Sequence, residues 1–223
     1  MRASMEMNIV QPVNSKINIR QVVGIPPFEA NCYIISNQQD ALIIDPCIPY
    51  CEAKAYLKGK IIQAVLVTHG HIDHFYYLQE YVDAEIKVVY YHPKAYDKMS
   101  NLRKSYAVLT PQTVPFTDTN KVVLLEDSKL FMVGDIKILP IFTPGHSNCS
   151  VSFLIDDFLF TGDTLFLNSI GRTDLYTGSA VLLQQSLKRL MMMCPHVVIY
   201  PGHGDPTTME EELEHNPYLQ DSL

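Results

Sequence analysis

The chain has 223 residues, of which 47% are hydrophobic and 18% charged, a composition typical of a globular protein with one or two domains. Its 17 Lys and Arg residues against 24 Asp and Glu residues give a net charge of −7, which disfavours a nucleic-acid-binding face because such a face needs clustered cations. No apolar stretch reaches the roughly 18–20 residues that span a bilayer, and the N-terminus lacks a signal-peptide pattern. The five cysteines are widely spread, which is typical of reduced thiols rather than of a disulfide framework. We therefore expect a cytoplasmic protein that binds neither nucleic acid nor membrane.

The N-terminal half shows short β-branched runs separated by turn residues. We predict an N-terminal extension over residues 1–17, part of it disordered, and a single domain over residues 18–223. The elements predicted from hydrophobic periodicity and turn residues are strands at 18–23, 31–36 and 41–44, a helix at 51–58, a strand at 61–67, a helix at 74–81, a strand at 86–91 and a short helix at 93–99. Residues 100–128 have little pattern and are predicted to be loop-like.

The C-terminal half is rich in hairpins. The predicted elements are strands at 129–133 and 136–142, strands at 151–155 and 158–161, an amphipathic helix at 179–193, a strand at 197–200 and a helix at 207–214. Several connections between strands are too short for crossover helices. The sequence therefore predicts two mixed sheets packed face to face with helices outside, and not a doubly wound parallel sheet.

Residues 68–74 have the sequence THGHIDH and directly follow a predicted buried strand. Open α/β sheets place their active sites in such loops, at the C-terminal ends of strands. Imidazole nitrogens and carboxylate oxygens suit zinc, iron or manganese. On an extended backbone His69 and His71 point the same way and are suited to one ion, whereas Asp73 and His74 lie about one turn further on and are suited to a neighbouring ion.

Three further loops carry a ligand-type residue beside a glycine, just after a predicted strand. They contain His146 in TPGH, Asp163 in GDT and His203 in PGHG. Glycine permits the close backbone approach that a tight site needs. A single catalytic zinc needs only three protein ligands, so the larger set predicts two metals that share a carboxylate. The seven candidate ligands are His69, His71, Asp73, His74, His146, Asp163 and His203.

The series THxHxDH, TPGH, GDTLF and PGHG, in this order, resembles the metallo-β-lactamase-fold hydrolases over roughly residues 18–217. The resemblance implies an α+β fold, a four-layer αββα sandwich of two mixed β-sheets with helices on the outer faces and the metals at one edge. It also implies how the ligands divide. His69, His71 and His146 would hold the first metal, Asp73, His74 and His203 would hold the second, and Asp163 would bridge both.

Within that family the chain is most similar to short glyoxalase II-like enzymes, the hydroxyacylglutathione hydrolase type. The matching segments are NCYI at 31–34, GDTLF at 162–166, GRTD at 171–174 and HNPYL at 215–219. The resemblance implies a binuclear enzyme with two divalent ions, zinc first and iron or manganese as alternatives. A metal-bridging hydroxide would cleave a small-molecule thioester or related ester, and Asp73 would orient or deprotonate the water while it serves as a ligand.

Other functions stay open at this stage. The chain also resembles the persulfide dioxygenases of the same fold, whose single iron would correspond to His69, His146 and Asp163, a two-histidine-one-carboxylate set. A metal-stabilised binding protein is a third hypothesis, and the acidic balance disfavours a nuclease. The sequence contains no GxSxG motif, so it does not indicate a serine nucleophile.

Three residues outside the ligand set are candidates for supporting roles. Asp45 follows a predicted strand and either hydrogen-bonds a ligating histidine or caps the turn before Pro46. Arg172 and Asp174 either pair with each other or contact the substrate.

Overall fold

The computed structural model describes residues 17–26, 29–84, 86–110, 115–117, 120–192 and 196–220. The predicted extension over residues 1–17 lies outside these residues except for Ile17, which is buried. Within the described part of the chain, no helix has both the length and the apolar character needed to cross a membrane.

The N-terminal half builds one mixed sheet. Its elements are β1 (Asn18–Val23), β2 (Asn31–Ser36), β3 (Asp40–Ile44), α1 (Tyr50–Tyr56), β4 (Ile61–Leu66), α2 (Ile72–Phe75), α3 (Leu78–Asp83), β5 (Val88–Tyr91), α4 (Ala95–Met99), a 3₁₀-helix (Ala107–Leu109) and β6 (Val122–Leu124). The strands lie in the order β1-β2-β3-β4-β5-β6. The pairs from β1 to β3 are antiparallel, and the pairs from β3 to β6 are parallel.

The C-terminal half builds the second mixed sheet. Its elements are β7 (Phe131–Val133), β8 (Ile136–Phe142), β9 (Val151–Ile155), β10 (Phe158–Gly162), β11 (Leu165–Phe166), β12 (Ser169–Ile170), α5 (Ala180–Met191), β13 (Val198–Pro201), β14 (Thr207–Thr208), α6 (Met209–His215) and α7 (Pro217–Gln220). The sheet order is β14-β13-β10-β9-β8-β7, and β11 and β12 form a separate hairpin. In this sheet β10 and β13 pair in parallel, so the segments that follow the two strands leave the sheet at the same edge.

Alternation along the strands supplies apolar side chains to both faces of each sheet. In β2, Tyr33 and Ile35 enter the core between the two sheets, whereas Cys32 and Ile34 pack on the opposite face. That outer face is covered by α1, α3 and α4. The outer face of the second sheet is covered by α5 and α6. The predicted α+β, helix–sheet–sheet–helix sandwich is confirmed.

The 3₁₀-helix, β11, β12, β14 and α7 were not predicted, and two other differences have local reasons. The predicted helix at 74–81 is two short helices, because Tyr77 leaves the helical conformation and donates its N–H to the carbonyl of Pro46. Strand β6 was missed in the unpatterned segment 100–128. It lies at a sheet edge, where Val123 and Leu124 are both exposed and no alternation of burial marks it.

The core between the sheets predicts a large cost for removing one of its aromatic rings. Phe160 is buried and packs against Tyr33 and Tyr200, with 5.1 Å between ring centroids in both pairs. Phe160→Ala should lower the free energy of unfolding by about 3–5 kcal/mol, since it loses transfer free energy and leaves a cavity. Urea unfolding in the presence of a chelator measures this. The exposed Leu130 is the control, because Leu130→Ala should change stability by about 0.5 kcal/mol or less, and equal losses in the two variants would contradict the assignment of this core.

Candidate metal centre

The seven candidate ligands meet at one edge of the sandwich because the strands that carry them end there. The loop after β4 brings His69, His71, Asp73 and His74, and the loop after β8 brings His146. Asp163 directly follows β10 and His203 lies just beyond β13, two strands that pair in parallel. Although 134 positions separate His69 from His203 in the chain, their strands deliver both side chains to the same place.

A first cluster consists of His69, His71 and His146. His69 Nε2 lies 3.1 Å from His71 Nδ1, which lies 2.9 Å from His146 Nε2. Their ring planes are nearly perpendicular to one another, at 84° to 88°. Two imidazole nitrogens can share one proton, but three that converge cannot all be satisfied in this way. A single cation between the three nitrogens would satisfy them together.

A second cluster consists of Asp73, His74 and His203. His203 Nε2 lies 3.3 Å from Asp73 Oδ2, and His74 Nε2 lies 3.6 Å from the same oxygen. The Asp163 carboxylate stands between the clusters, with Oδ1 3.3 Å from His74 Nε2 and Oδ2 3.5 Å from His146 Nε2. Oδ2 also lies 3.8 Å from His203 Nε2, so the Asp163 carboxylate faces both clusters.

Two buried polar atoms at the centre lack a hydrogen-bond partner in the described part of the chain, as atoms that bind a metal would. His74 Nε2 and Asp163 Oδ1 are buried and make no hydrogen bond within the described residues. Leaving a buried polar atom unsatisfied costs about 1–3 kcal/mol. The same atoms belong to groups of His and Asp whose ligand atoms lie within 4.8 Å of one another. Imidazole and carboxylate donors suit divalent zinc, iron or manganese, so the residues fit divalent metal ions.

The electrostatics of the clusters differ. Burial lowers the pKa of His69 well below its usual value and that of His71 to about 3, so both imidazoles are neutral and have a lone pair to offer. Burial also disfavours the charged form of His74, but Asp73 and Asp163 outweigh it and raise its pKa well above the usual value. Burial would raise the pKa of Asp163, yet the charge of His74 holds it well below its usual range. His69 and His71 are thus neutral, whereas the second cluster contains charged groups.

Asp45 fixes ligands of both clusters through hydrogen bonds. Its Oδ2 accepts a bond of 2.7 Å from His74 Nδ1 and one of 2.6 Å from Thr68 Oγ1, and its Oδ1 accepts one of 2.7 Å from Thr68 N–H. Because the Thr68 hydroxyl donates to Asp45, it accepts from His69 Nδ1 at 3.1 Å. Both histidines therefore have Nδ1 engaged and direct Nε2 towards the centre. Of the two alternatives for Asp45, the contact with a candidate ligand is present. Thr68 was not predicted, although it opens the THxHxDH motif.

Arg172 and Asp174 form an exposed pair in which the guanidinium bridges both carboxylate oxygens at 2.7 and 2.6 Å. Their side chains thus contact each other. The backbone of Arg172 has a separate role that the sequence did not indicate, since its carbonyl accepts a bond of 2.9 Å from His146 Nδ1. This contact leaves His146 Nε2 free to face the centre.

Gly202 allows β13 to approach the centre. A Cβ atom at this position would lie 2.2 Å from Asp163 Oδ1 and 2.8 Å from His74 Cε1. Any side chain would displace these groups, which explains the glycine before His203.

The comparisons with known proteins agree with this geometry. Residues 25–203 match the family model of the metallo-beta-lactamase superfamily. The chain belongs to the metallo-β-lactamase superfamily. A probable metallo-hydrolase of Bacillus subtilis, YqgX, is 31% identical to it over 90% of the chain and 96% of its own length. A probable polyketide biosynthesis zinc-dependent hydrolase of Bacillus velezensis, BaeB, is 32% identical over 85% of the chain and 81% of its own length.

Two solved structures are also similar. The B3 metallo-beta-lactamase BLEG-1 has a TM-score of 0.82 and 31% identity, covering 91% of this chain and 99% of its own. TTHA1623 in a di-iron-bound form has a TM-score of 0.76 and 31% identity, covering 88% and 98%. Membership of this superfamily of metallo-hydrolases supports an enzyme and implies divalent metal ions, for which the His and Asp clusters supply the donors.

In this metallo-β-lactamase superfamily member, the loop of His203 is held from the opposite sheet. Asn31 Nδ2 donates to the carbonyls of Pro201 at 2.9 Å and Gly204 at 2.8 Å, and the Tyr33 hydroxyl donates to Pro201 at 2.5 Å. Asn31 and Tyr33 were noted in the sequence only as part of the NCYI motif. Their function in supporting the site depends on contacts across about 170 residues, which no local pattern reveals.

The bonds of Asp45 predict a specific effect on metal binding. Asp45→Asn keeps the shape of the side chain but loses the negative charge that holds His74 Nδ1–H. The affinity for the ion of the second cluster, which contains His74, should fall by about 10–100-fold, as for other groups that orient a ligating histidine. Competition with a chromophoric chelator measures the affinity. Asp157→Asn changes an exposed hairpin aspartate and should bind metal like the wild type; if Asp45→Asn does so too, Asp45 does not orient a ligand.

Proposed function

We propose that this protein is a binuclear metallohydrolase that cleaves small-molecule thioesters or related esters, with hydroxyacylglutathione-type thioesters as the preferred class. The observation that carries the proposal is the arrangement of seven donors as two adjacent clusters that share Asp163. A single ion would leave His74 Nε2 or the imidazoles of the first cluster without a partner. Binding of two ions accounts for all seven donors at once.

The exposure of the ligands defines where a substrate approaches. The side chains of His74, His146 and Asp163 are 0%, 4% and 11% exposed, whereas those of Asp73 and His203 are 19% and 32% exposed. Solvent and substrate therefore reach the centre on the side of Asp73 and His203. The ring of Phe166 lies 6.3 Å from that of His203 and adds an apolar surface on this side, suited to the carbon chain of an acyl group.

Two divalent ions held by these residues would supply an activated water at neutral pH and would stabilise negative charge on an acyl oxygen. Asp73 lies at the open side of the centre, where its carboxylate can orient the water and hold its proton while Oδ2 remains a ligand. The leaving thiolate needs no acid from the protein, since a thiol has a pKa of about 8.5 and departs readily as the anion. The residues of this chain thus need only to place the donors, orient the water and expel a thiolate.

Zinc is the metal we propose first. The relative BaeB is described as zinc-dependent, which supports zinc, while the similar structure of TTHA1623 contains two irons. Histidine and carboxylate donors bind both metals, and manganese too, so the metal present follows availability as well as geometry.

A second candidate is the oxidation of a glutathione persulfide by one iron. It is favoured by one observation, that His146 Nε2 and Asp163 Oδ2 lie 3.5 Å apart beside His69, which gives a two-histidine-one-carboxylate set. It assigns no function to Asp73 or His203 and leaves His74 Nε2 buried without a partner. We therefore rank it below the binuclear hydrolase.

The proposal predicts metal-dependent turnover of S-lactoylglutathione. Protein purified without chelators should contain close to two ions per chain and hydrolyse this thioester. Chelation should abolish the activity, and added zinc should restore it. His146→Ala removes a donor of the first cluster that also lies 3.5 Å from Asp163. Because groups that act as a unit lose most of their effect together, kcat/KM should fall by at least about 100-fold.

The matched control is His196→Ala, because the side chain of His196 is 82% exposed and lies outside both clusters; its kcat/KM should equal that of the wild type. One iron per chain with oxygen uptake on glutathione persulfide would establish the second candidate instead. Full metal occupancy without turnover of thioesters, esters, lactones or β-lactams would identify a binding protein.

A further inference from the structure

Lys98 on α4 is a buried cation without a carboxylate partner. It is 1% exposed, and no carboxylate of the described residues lies within 4.0 Å of its ammonium group. Its Nζ donates instead to the carbonyl of Tyr176 at 2.8 Å and to Thr177 Oγ1 at 2.7 Å, and lies 4.6 Å from the centre of the Tyr176 ring. Burying an ammonium group is costly unless its hydrogen bonds are satisfied, so these contacts fix the loop that accepts them.

The stem of Lys98 lies directly against the metal-binding loop. A Cβ atom on Gly70, the residue between His69 and His71, would lie 2.8 Å from Lys98 Cβ. The aliphatic stem of Lys98 therefore packs against the loop that carries His69 and His71, and its ammonium group reaches the loop 171–178.

The loop 171–178 also contacts His146 directly and His71 through Tyr106. The carbonyl of Arg172 accepts the hydrogen bond of His146 Nδ1. The backbone N–H of Tyr176 donates to the Tyr106 hydroxyl at 2.8 Å, and the Tyr106 ring lies edge-to-face against His71, 5.4 Å between centroids. The loop therefore supports His146 directly and His71 through Tyr106.

This support matters most for His71. His69 and His74 each have a hydrogen-bond partner at the ring nitrogen that faces away from the centre, whereas His71 Nε2 is buried and has none among the described residues. Its ring orientation depends on packing against Tyr106. Both Tyr106 and Thr177 have left-handed backbones, with φ of 64° and 67°, a conformation that persists in such residues only where the surroundings impose it.

We propose that Lys98 is a positioning residue of the first cluster. By holding the carbonyl of Tyr176 and the hydroxyl of Thr177, it keeps the loop 171–178 where Arg172 orients His146 and Tyr106 orients His71. In the second cluster Asp45 holds His74 directly, whereas the loop meets this cluster at the backbone, where Gly171 packs against Asp163 and donates to the carbonyl of Thr164. The inference rests on the proposed metal centre, and it assigns the two ions different supports.

The test is cobalt binding to Lys98→Met, which keeps the length of the stem and removes the charge. Visible absorption during titration of the metal-free protein, with chelator competition, gives the affinity for each ion. We expect the ion of the first cluster to bind about 10–100-fold more weakly, the magnitude found when a group that orients a ligand is lost, and the ion of the second cluster to change by much less. Asp45→Asn removes the bond to His74 directly and acts on His69 only through Thr68, so it should weaken mainly the ion of the second cluster, and the effects of the two substitutions should add in the double variant.

Three further variants distinguish positioning from general stability. Lys94→Met, an exposed lysine near the start of the same helix, should bind both ions like the wild type. Lys98→Arg keeps charge and donors and should recover part of the affinity. Thr177→Val removes one acceptor of Lys98, together with the bonds of Thr177 Oγ1 to Asn148 in the His146 loop, and should shift the same ion in the same direction, which gives a reading even if Lys98→Met folds poorly.

Unchanged affinities in Lys98→Met and Thr177→Val overturn the inference, as does an equal loss for both ions or a lower unfolding temperature of the metal-free protein without selective loss of one ion. Wild-type protein that binds a single cobalt contradicts the binuclear function. In that case the inference still requires this ion to bind more weakly in Lys98→Met, so the two proposals fail separately. Protein that binds no cobalt overturns both.

Discussion

The structure of the site depends on the convergence of seven donor side chains at one edge of the sandwich. In the first cluster His71 Nδ1 lies 3.1 Å from His69 Nε2 and 2.9 Å from His146 Nε2, and the carboxylates of Asp73 and Asp163 both approach His74 Nε2. Metal ions would satisfy these donor atoms together. The surrounding sandwich must hold the donors in place, and it does so because four strands end at one edge of a packed core.

The groups behind the ligands convert that position into a defined protonation state. Asp45 and the Thr68 hydroxyl hold the outer nitrogens of His74 and His69, and the carbonyl of Arg172 holds that of His146. Each of these bonds leaves the other ring nitrogen facing the centre. The site is therefore prepared by neutral acceptors and one buried carboxylate, not by the ligands alone.

Sequence reasoning located the ligands and the layers because both have local signals. The alternation of β2, with Tyr33 and Ile35 on one face and Cys32 and Ile34 on the other, is visible in six residues, and the THGHIDH motif follows a strand that is equally plain. Pairing of the motif with His146 and His203 came from the shared rule that a ligand follows each strand, together with the family resemblance. These signals sufficed for the fold and for the set of candidate ligands.

The supporting residues lacked such signals because their functions arise from tertiary contacts. Lys98 occupies a short helix and reads as a surface lysine until its contacts with Tyr176 and Thr177 are seen. Tyr106 lies in a segment without periodicity, and its left-handed backbone is not encoded by glycine or asparagine. Sequence patterns report burial and turn preference within a few residues, whereas these groups act across 70 or more positions.

The two clusters consequently differ in what holds them and in what they expose. The first is made of buried histidines, of which His69 and His71 are neutral, and is supported by a loop that a buried charge keeps in place. The second is made of charged groups that share Asp163, rests on Asp45, and opens to solvent at Asp73 and His203. A ligand that enters from solvent meets the second cluster before the first. The position of such a molecule relative to both clusters is then set by Asp163, whose carboxylate lies 3.3 Å from His74, 3.5 Å from His146 and 3.8 Å from His203, so the spacing of the centre depends on the strand β10 that directly precedes it.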